Sequence, residues 1–176
     1  AQINKYNKLI NMLRPKAGSK ILEIGCGWGG FAEHVAKNYD VNLECITISK
    51  KQYEFAKKRI YDRGLNSKVK IEMKDYRDVS DRFDAIASIE MIEAVGQPYL
   101  KKYFNIIKKN LDKNGIAAIQ AIIIKDELAN RYKGREDFIQ KYIFPGGFLP
   151  SKKQISHLAK TNGLQLENIN SYGQHY

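Results

Sequence analysis

The sequence predicts an α/β protein in which a mostly parallel sheet carries helices on both faces. Short apolar runs typical of strands alternate along the chain with segments whose apolar residues recur at helical spacing. The first of these strands stops at a cluster of glycines, and a helix follows at once. The 176 residues, 43% of them hydrophobic, suit one domain with a sizeable core. We therefore treat 1–176 as a single domain.

The first half of the chain is expected to contain three helices and three strands. Apolar side chains of the first helix share one face, and Pro15 and Gly18 mark its end. Ser49 stands where the third helix needs an N-cap. The predicted helices are 2–13, about 29–38 and 50–62, and the predicted strands are 20–24, 41–48 and 69–73.

The second half continues the same alternation. A less regular stretch, 126–150, is rich in proline and glycine, and Ser151 is a suitable cap for the helix after it. The predicted elements are a strand at 83–89, a helix at 98–110 ended by Asn114–Gly115, a strand at 116–124, a helix from 151 to about 162 and a final strand at 164–171. In such a fold, ligands bind beyond the C-terminal ends of the strands.

The turn after the first strand, in I-L-E-I-G-C-G-W-G-G, is the strongest indication of a ligand. Gly25 permits a sharp turn, and Gly27 leaves room for a cofactor to approach the backbone. The carboxylate of Glu23 would repel a pyrophosphate but attract an ammonium group, such as that of S-adenosylmethionine (SAM). The alternative is a tight strand–helix connection that binds nothing.

The ends of the second and third strands carry further polar groups. Thr47, Ile48 and Gln52 stand where dinucleotide-binding folds usually place an acid for the ribose, so a dinucleotide is disfavoured. Asp75 and Tyr76 could meet the amine and the face of an adenine ring, although a simple polar turn is the alternative.

Two acids interrupt the apolar stretch that begins at Ser88. A buried carboxylate is energetically costly without a partner, so we expect either Glu90 or Glu93 to have a function in the ligand-binding site. The histidines and the two cysteines show no spacing typical of a metal site.

The net charge of +11 indicates attraction to a polyanion. The lysines are dispersed in pairs, which is more typical of a general electrostatic attraction than of a patch that recognises a nucleotide sequence. Charge alone does not distinguish a membrane from a nucleic acid as the partner. No apolar run is long enough to span a bilayer, and the first residues do not resemble a signal peptide. We expect a cytoplasmic protein.

The motifs together resemble the cyclopropane-fatty-acyl-phospholipid synthase family, in order and over the whole chain. The six motifs read L-E-I-G-C-G-W-G-G, T-I-S-K-K-Q, D-Y-R-D, S-I-E-M-I-E-A-V-G, I-Q-A-I-I-I and F-I-Q-K-Y-I-F-P-G-G-F-L-P-S. The last two of these motifs are far more specific than the glycine turn. The resemblance implies a Rossmann-like class I SAM-dependent methyltransferase that adds a methylene bridge across a cis double bond of a phospholipid acyl chain.

The resemblance also implies the roles of individual residues. Those expected to bind SAM are Glu23, Gly25 and Gly27 at the methionine part, Thr47, Ile48 and Gln52 at the ribose, Asp75 and Tyr76 at the adenine, and Ser88 beside them. A bound bicarbonate would act as the base that removes a proton from the new methyl group. Its expected holders are Glu93, Gln120, the backbone of Ile122 and Tyr176. Glu93 would accept from the bicarbonate O–H, and Gln120 and Tyr176 would donate to its other oxygens. Tyr142–Phe144 and Phe148 would line the acyl channel, or simply pack under a Pro-Gly-Gly turn.

The chain departs from part of the family in two respects. Gln120 and Ala94 stand where some members carry histidine, which bears on substrate and base handling but not on the reaction class. The family's segments upstream of Ala1 and downstream of Tyr176 have no counterpart, so we expect a trimmed core.

The resemblance and the basic charge together indicate partners and alternative functions. The expected partners are an unsaturated phospholipid and an anionic membrane surface, with peripheral association at the inner face, a possible homodimer and no nucleic acid. The alternatives are a small-molecule N- or C-methyltransferase and a basic nucleic-acid-binding domain, the latter disfavoured by the intact Glu23 and glycine turn.

Overall fold

The computed structural model describes residues 1–132 and 147–172, of which 130–132 are described by their backbone alone. The strands are β1 (Lys20–Ile24), β2 (Asn42–Thr47), β3 (Val69–Met73), β4 (Phe83–Ile89) and β5 (Leu111–Gln120). The helices are α1 (Gln2–Leu13), α2 (Gly30–Asn38), α3 (Lys50–Asp62), α4 (Ile92–Val95), α5 (Leu100–Asn110), α6 (Asp126–Tyr132) and α7 (Lys152–Thr161). Short 3₁₀ turns lie at Tyr76–Asp78 and Gln97–Tyr99.

The five strands form one sheet in the order β3-β2-β1-β4-β5, and the four pairings are parallel. The chain runs outward from β1 through β2 to β3, then returns to place β4 on the other side of β1. This reversal opens a crevice at the C-terminal ends of β1 and β4, where α/β sheets bind their ligands. The predicted fold class is confirmed.

Two apolar cores lie on opposite faces of this sheet. Alternate residues of β1 point to opposite sides, so that Ile21 belongs to one core and Leu22 to the other. Helices α1, α2 and α3 cover the first face, and α5 and α7 cover the second. Because both of its faces are covered, β4 (F-D-A-I-A-S-I) is buried over most of its length, whereas the edge strand β3 (V-K-I-E-M) alternates and is half-buried or exposed over most of its length.

The predicted helix caps are confirmed. Ser49 Oγ accepts a hydrogen bond from the Gln52 amide at 3.4 Å, at the start of α3. Ser151 caps α7 in a reciprocal capping box, in which the Gln154 side chain accepts from the Ser151 amide at 2.8 Å. Both caps satisfy amides that have no partner within the helix.

In the second half of the chain, the predicted end of the helix at 110 is confirmed, but the predicted start of the fifth strand at 116 was wrong. Helix α5 ends at Asn110, whose side chain donates to the Asp81 carbonyl at 2.7 Å, and β5 begins at once at Leu111. Asn114–Gly115 therefore lies within β5 rather than ending the helix. A Cβ at Gly115 would stand 2.8 Å from the Asp84 carbonyl oxygen, so glycine is needed there for close strand packing.

The predicted final strand is also absent from the described residues. Residues 164–172 form no strand, because an alternating pattern becomes a strand only where a neighbouring strand pairs with it. Beyond Gln120, the predicted fifth strand continues only as a single bridge between Ile124 and Ser151. The predicted region at 142–144 and Tyr176 lie outside the described residues. Within the described ranges, no helix is long and apolar enough to cross a membrane.

Candidate active site

The glycine turn joins β1 to α2 at the crevice, and three of its glycines have a positive φ. These are Gly25 (77°), Gly27 (53°) and Gly29 (74°). The amides of Gly25 and Cys26 both donate to the Ile46 carbonyl at 3.0 Å, so β2 anchors the start of the turn. A Cβ at Gly25 would stand 2.8 Å from Met91 Cγ, whereas one at Gly27 would meet no described heavy atom within 4 Å. Gly25 thus serves packing, and Gly27 borders open space.

Glu23 is a buried carboxylate inside the sheet, beside this turn. It pairs in register with Cys45 of β2 and Ala87 of β4, and it is 2% exposed. Its Oε2 has no hydrogen-bond partner among the described residues. Burial raises the pKa of Glu23 to about 8, only partly offset by a hydrogen bond with Cys45. A buried acid with a vacant acceptor is suited to pairing with a cation.

The two cysteines beside Glu23 are free and buried. Burial, followed by the charge of Glu23, raises the pKa of the Cys26 thiol to about 12 and that of Cys45 well above its usual value. Neither thiol is therefore a nucleophile at neutral pH.

Thr47 and Gln52 meet at the end of β2, as their predicted shared role requires. Thr47 Oγ1 donates to Gln52 Oε1 at 2.8 Å and accepts from the Ser49 amide at 3.2 Å. Ile48 lies between them in sequence, and its side chain is 76% exposed. An apolar side chain standing open at a strand end is suited to contact with a bound molecule.

Asp75 and Tyr76 lie at the end of β3. Asp75 accepts from the Arg77 amide at 2.8 Å and pairs with its guanidinium at 2.6 and 2.9 Å. These contacts lower the pKa of Asp75 despite partial burial, so the group is an ionised acceptor. The Tyr76 ring packs edge-on against Tyr103, with centroids 5.7 Å apart.

Ser88 lies deeper than the other predicted cofactor residues. It is fully buried, and its hydroxyl donates to the Ile24 carbonyl of β1 at 3.4 Å. The side chain therefore links β1 to β4 at the floor of the crevice. Its role in binding stays a prediction, as do the roles of the other site residues.

A second polar group gathers at the ends of β4 and β5. Glu93 Oε1, at the start of α4, accepts from the Ile122 amide. Glu90 Oε1 accepts from Gln120 Nε2 at 3.0 Å and from Lys5 Nζ at 3.2 Å. The structure thus brings three of the four predicted bicarbonate holders to one end of the sheet. The predicted donor role of Gln120 was wrong, because its Nε2 donates to Glu90 and its oxygen is the atom left without a partner among the described residues.

Two acceptor atoms in this second group are buried without a partner among the described residues. They are Glu93 Oε2 and Gln120 Oε1. Burial raises the pKa of Glu93, with the Ile122 hydrogen bond opposing it. Unsatisfied buried acceptors are rare in folded proteins, and they indicate a place for a hydrogen-bond donor.

Three neighbours of the site were missed in the sequence. Lys5 reaches it from α1, and Met91 packs against Gly25. Tyr103 lies fully buried beneath Tyr76. No local motif marks Lys5 or Tyr103, because each comes from a helix whose position is set by tertiary packing. Met91 lies within S-I-E-M-I-E-A-V-G, but nothing in that motif indicates its contact with Gly25. Phe148, predicted for the acyl channel, is 6% exposed and lines a groove with Leu100 and Leu158.

Solved structures share this architecture. Mycolic acid cyclopropane synthase CmaA1, complexed with SAH and CTAB, matches 93% of this chain and 60% of its own, at 26% identity and a TM-score of 0.83. Cyclopropane synthase MmaA2 from Mycobacterium tuberculosis matches 96% of this chain and 62% of its own, at 23% identity and a TM-score of 0.85. The fold is that of the Rossmann-like class I methyltransferases.

The family model described as mycolic acid cyclopropane synthetase matches residues 1–176, and the chain belongs to this family. It is 38% identical over 176 residues to cyclopropane-fatty-acyl-phospholipid synthase of Escherichia coli K12, covering 44% of that protein. It is 35% identical over 177 residues to tuberculostearic acid methyltransferase UfaA1 of Mycobacterium tuberculosis, covering 41% of it. The chain thus spans less than half the length of these two relatives.

Proposed function

We propose that the protein containing this chain transfers a methyl group from SAM to the cis double bond of an unsaturated phospholipid acyl chain, giving a cyclopropane. The observation that carries the proposal is the vacant, buried carboxylate of Glu23 beside the open space at Gly27, in a chain of this family. The ammonium group of a cofactor would neutralise the buried carboxylate of Glu23, and the rest of the cofactor would fit in the space beside Gly27.

The residues of the crevice suit SAM, which supplies an electrophilic methyl group when bound. Glu23 would hold the ammonium, and Thr47 with Gln52 would meet the ribose hydroxyls. Asp75, an ionised acceptor, would take the adenine amine. Because β2 anchors the turn through Gly25 and Cys26, the space beside Gly27 is formed before any ligand arrives.

The second polar group suits bicarbonate, which supplies a proton acceptor when bound. Glu93 Oε2 and Gln120 Oε1 both lack a donor, and the single O–H of bicarbonate can donate to one of them. Tyr176, the fourth predicted holder, would complete the set. Without that O–H, an anion and the Glu93 carboxylate would repel each other.

The basic charge supports peripheral binding to an anionic membrane, where the acyl chains of the substrate lie. Association as a homodimer, and at the inner membrane face, remains part of the same proposal.

The test is an assay with labelled SAM and vesicles of unsaturated phospholipid, using the full-length protein that contains this chain. Mass spectrometry of the lipids should show the gain of one methylene with loss of the double bond. A saturated phospholipid is the control substrate. If no label is transferred from SAM to the unsaturated phospholipid, the proposal is wrong.

Glu93→Gln tests the role of the second polar group in the same assay. We expect SAM affinity and folding to be kept, because Gln can still accept from the Ile122 amide. The rate should fall about a hundredfold, since general-base steps contribute on that order. Glu127→Gln, an exposed change on α6, is the control. Turnover at the parent rate by Glu93→Gln would remove that residue from the chemistry.

A further inference from the structure

Glu90 makes contacts that the predicted site roles leave unexplained. Its Oε1 accepts from Gln120 Nε2 at 3.0 Å and from Lys5 Nζ at 3.2 Å. Its amide also donates to the Gln120 carbonyl at 2.9 Å. Glu90 therefore binds both the backbone and the side chain of Gln120, and Lys5 holds it from α1.

The backbone at Glu90 is in a conformation that favours glycine. Its φ is +50°, and among the described non-glycine residues only Arg14 shares a positive φ. Arg14 is the C-cap of α1, where the left-handed conformation is common. Glu90 follows a β-strand, where no such local reason applies. Strain of this kind persists where the side chain has a function.

The contact with Glu90 determines how the Gln120 amide is turned. An ionised carboxylate only accepts hydrogen bonds, so the nitrogen of the amide must face Glu90. The hydrogen bond from Gln120, with the charge of Lys5, lowers the pKa of Glu90 despite partial burial. The oxygen of Gln120 then lies on the other side, buried and without a partner among the described residues.

We infer that Glu90 is a positioning residue, which turns the Gln120 amide so that its oxygen is the acceptor offered to the reaction site. The inference rests on the proposed function, because Gln120 is an expected holder of the base. An acceptor at this place selects a ligand that carries a proton, such as bicarbonate, over an anion without one, such as nitrate. Without Glu90, the amide could rotate and offer its nitrogen instead.

The direct test compares Glu90→Gly with Arg14→Gly in the 176-residue chain. Both changes relieve a positive φ, so Tm should stay the same or rise in each. NMR of the Gln120 side-chain amide, assigned by its loss in Gln120→Glu, reports how firmly the group is held. We expect amide hydrogen exchange to be about tenfold faster in Glu90→Gly only. Equal exchange in the parent and Glu90→Gly would overturn the inference.

The catalytic consequence is tested in the full-length protein. Glu90→Gly should slow methylene transfer about tenfold or more while leaving SAM affinity unchanged, a size typical of residues that orient a site group. The double change Glu90→Gln with Gln120→Glu restores a hydrogen bond between the pair but reverses its polarity. We expect the double variant to keep the parent Tm but not the parent rate, whereas a purely structural role of Glu90 would leave both at the parent value.

The two proposals fail in different ways. A parent protein that leaves unsaturated phospholipid unchanged would overturn the proposed function, and the amide measurement would still decide the orientation of Gln120. An active parent matched in rate by Glu90→Gly would overturn the positioning role alone.

Discussion

At the scale of single residues, the crevice combines a vacant carboxylate with a glycine that borders open space. Glu23 is sealed among the strands, where its charge has no described partner and burial raises its pKa to about 8. Gly27 stands in the left-handed region with space beside its Cα. Each feature yields a test of cofactor binding that does not depend on turnover.

Gly27→Ala should weaken SAM binding more than it weakens the fold. The left-handed φ of 53° costs alanine about 1 kcal/mol, and the added methyl group enters the space that the cofactor needs. Gly18→Ala is a matched control, since Gly18 has a φ of 79° and an added Cβ there would meet no described atom within 4 Å, yet it precedes β1. Calorimetry should show at least about a tenfold loss of affinity for Gly27→Ala only. Equal affinities in the two variants would contradict the site.

Binding of SAM should release a proton from Glu23 near pH 6.5. Below its folded-state pKa of about 8 the carboxyl is mostly protonated, and pairing with an ammonium requires the ionised form. Titration in buffers of different ionisation enthalpy measures the release, which should approach one proton per cofactor. Glu23→Gln should abolish it and weaken binding. Proton uptake, or no proton exchange in the parent, would contradict the assignment.

At the scale of elements, one acid joins the two helices that flank the glycine turn. Glu33 of α2 pairs with Arg59 of α3, with Arg63 just after the end of α3, and with Lys37 of its own helix. Arg59 also donates to the Trp28 carbonyl at 3.3 Å, within the turn itself. This ion cluster therefore fixes α3 against the loop that borders the cofactor space.

Glu33→Gln should lower stability at pH 7 by about 1 kcal/mol or more, because it removes charge-assisted hydrogen bonds. Burial alone would raise the pKa of Glu33, but Lys37 and Arg59 lower it to about 2. The unfolded value is higher, so the stabilisation is full above pH 4.5 and is lost as pH falls towards 2. Thermal melts of the parent and of Glu33→Gln should give Tm values that converge as pH falls from 4.5 towards 2. Glu54→Gln, which breaks an exposed 3.9 Å pair on α3, is the control and should change little.

At the scale of the whole molecule, one sheet separates two cores, and both polar groups lie at the same end of it. All five strands are parallel, but β4 is added on the opposite side of β1 from β2 and β3, and this order puts the cofactor groups of β1 and β2 beside the acids that follow β4. Helix α1 contacts this end of the sheet through the ion pair between Lys5 and Glu90. The net charge of +11 gives the molecule as a whole a field that attracts anions.

Vesicle co-sedimentation should therefore rise with the content of anionic lipid and fall at high salt. Each lysine near such a surface contributes on the order of 1 kcal/mol, and salt screens the attraction. Neutral vesicles are the control. Salt-resistant binding to RNA, with no binding to anionic vesicles, would favour the nucleic-acid alternative over the membrane.

The sequence by itself determined the fold class, most of the strands and the caps at Ser49 and Ser151, because these depend on local patterns. Apolar runs, glycine turns and capping residues act within a few positions of one another. The pattern failed at 111–115 and 164–171, where strand formation depends on which neighbour is present rather than on the segment itself.

Only the tertiary structure decided the partners of the site residues. It placed Lys5 against Glu90, turned Gln120 towards Glu90, and left Glu23 and Glu93 each with a vacant oxygen. These residues come from distant parts of the chain, and no local pattern records which side chains will meet. Hydrogen-bond partners and burial arise when the sheet brings the strand ends together, and they determine which acid is ionised and which acceptor remains free.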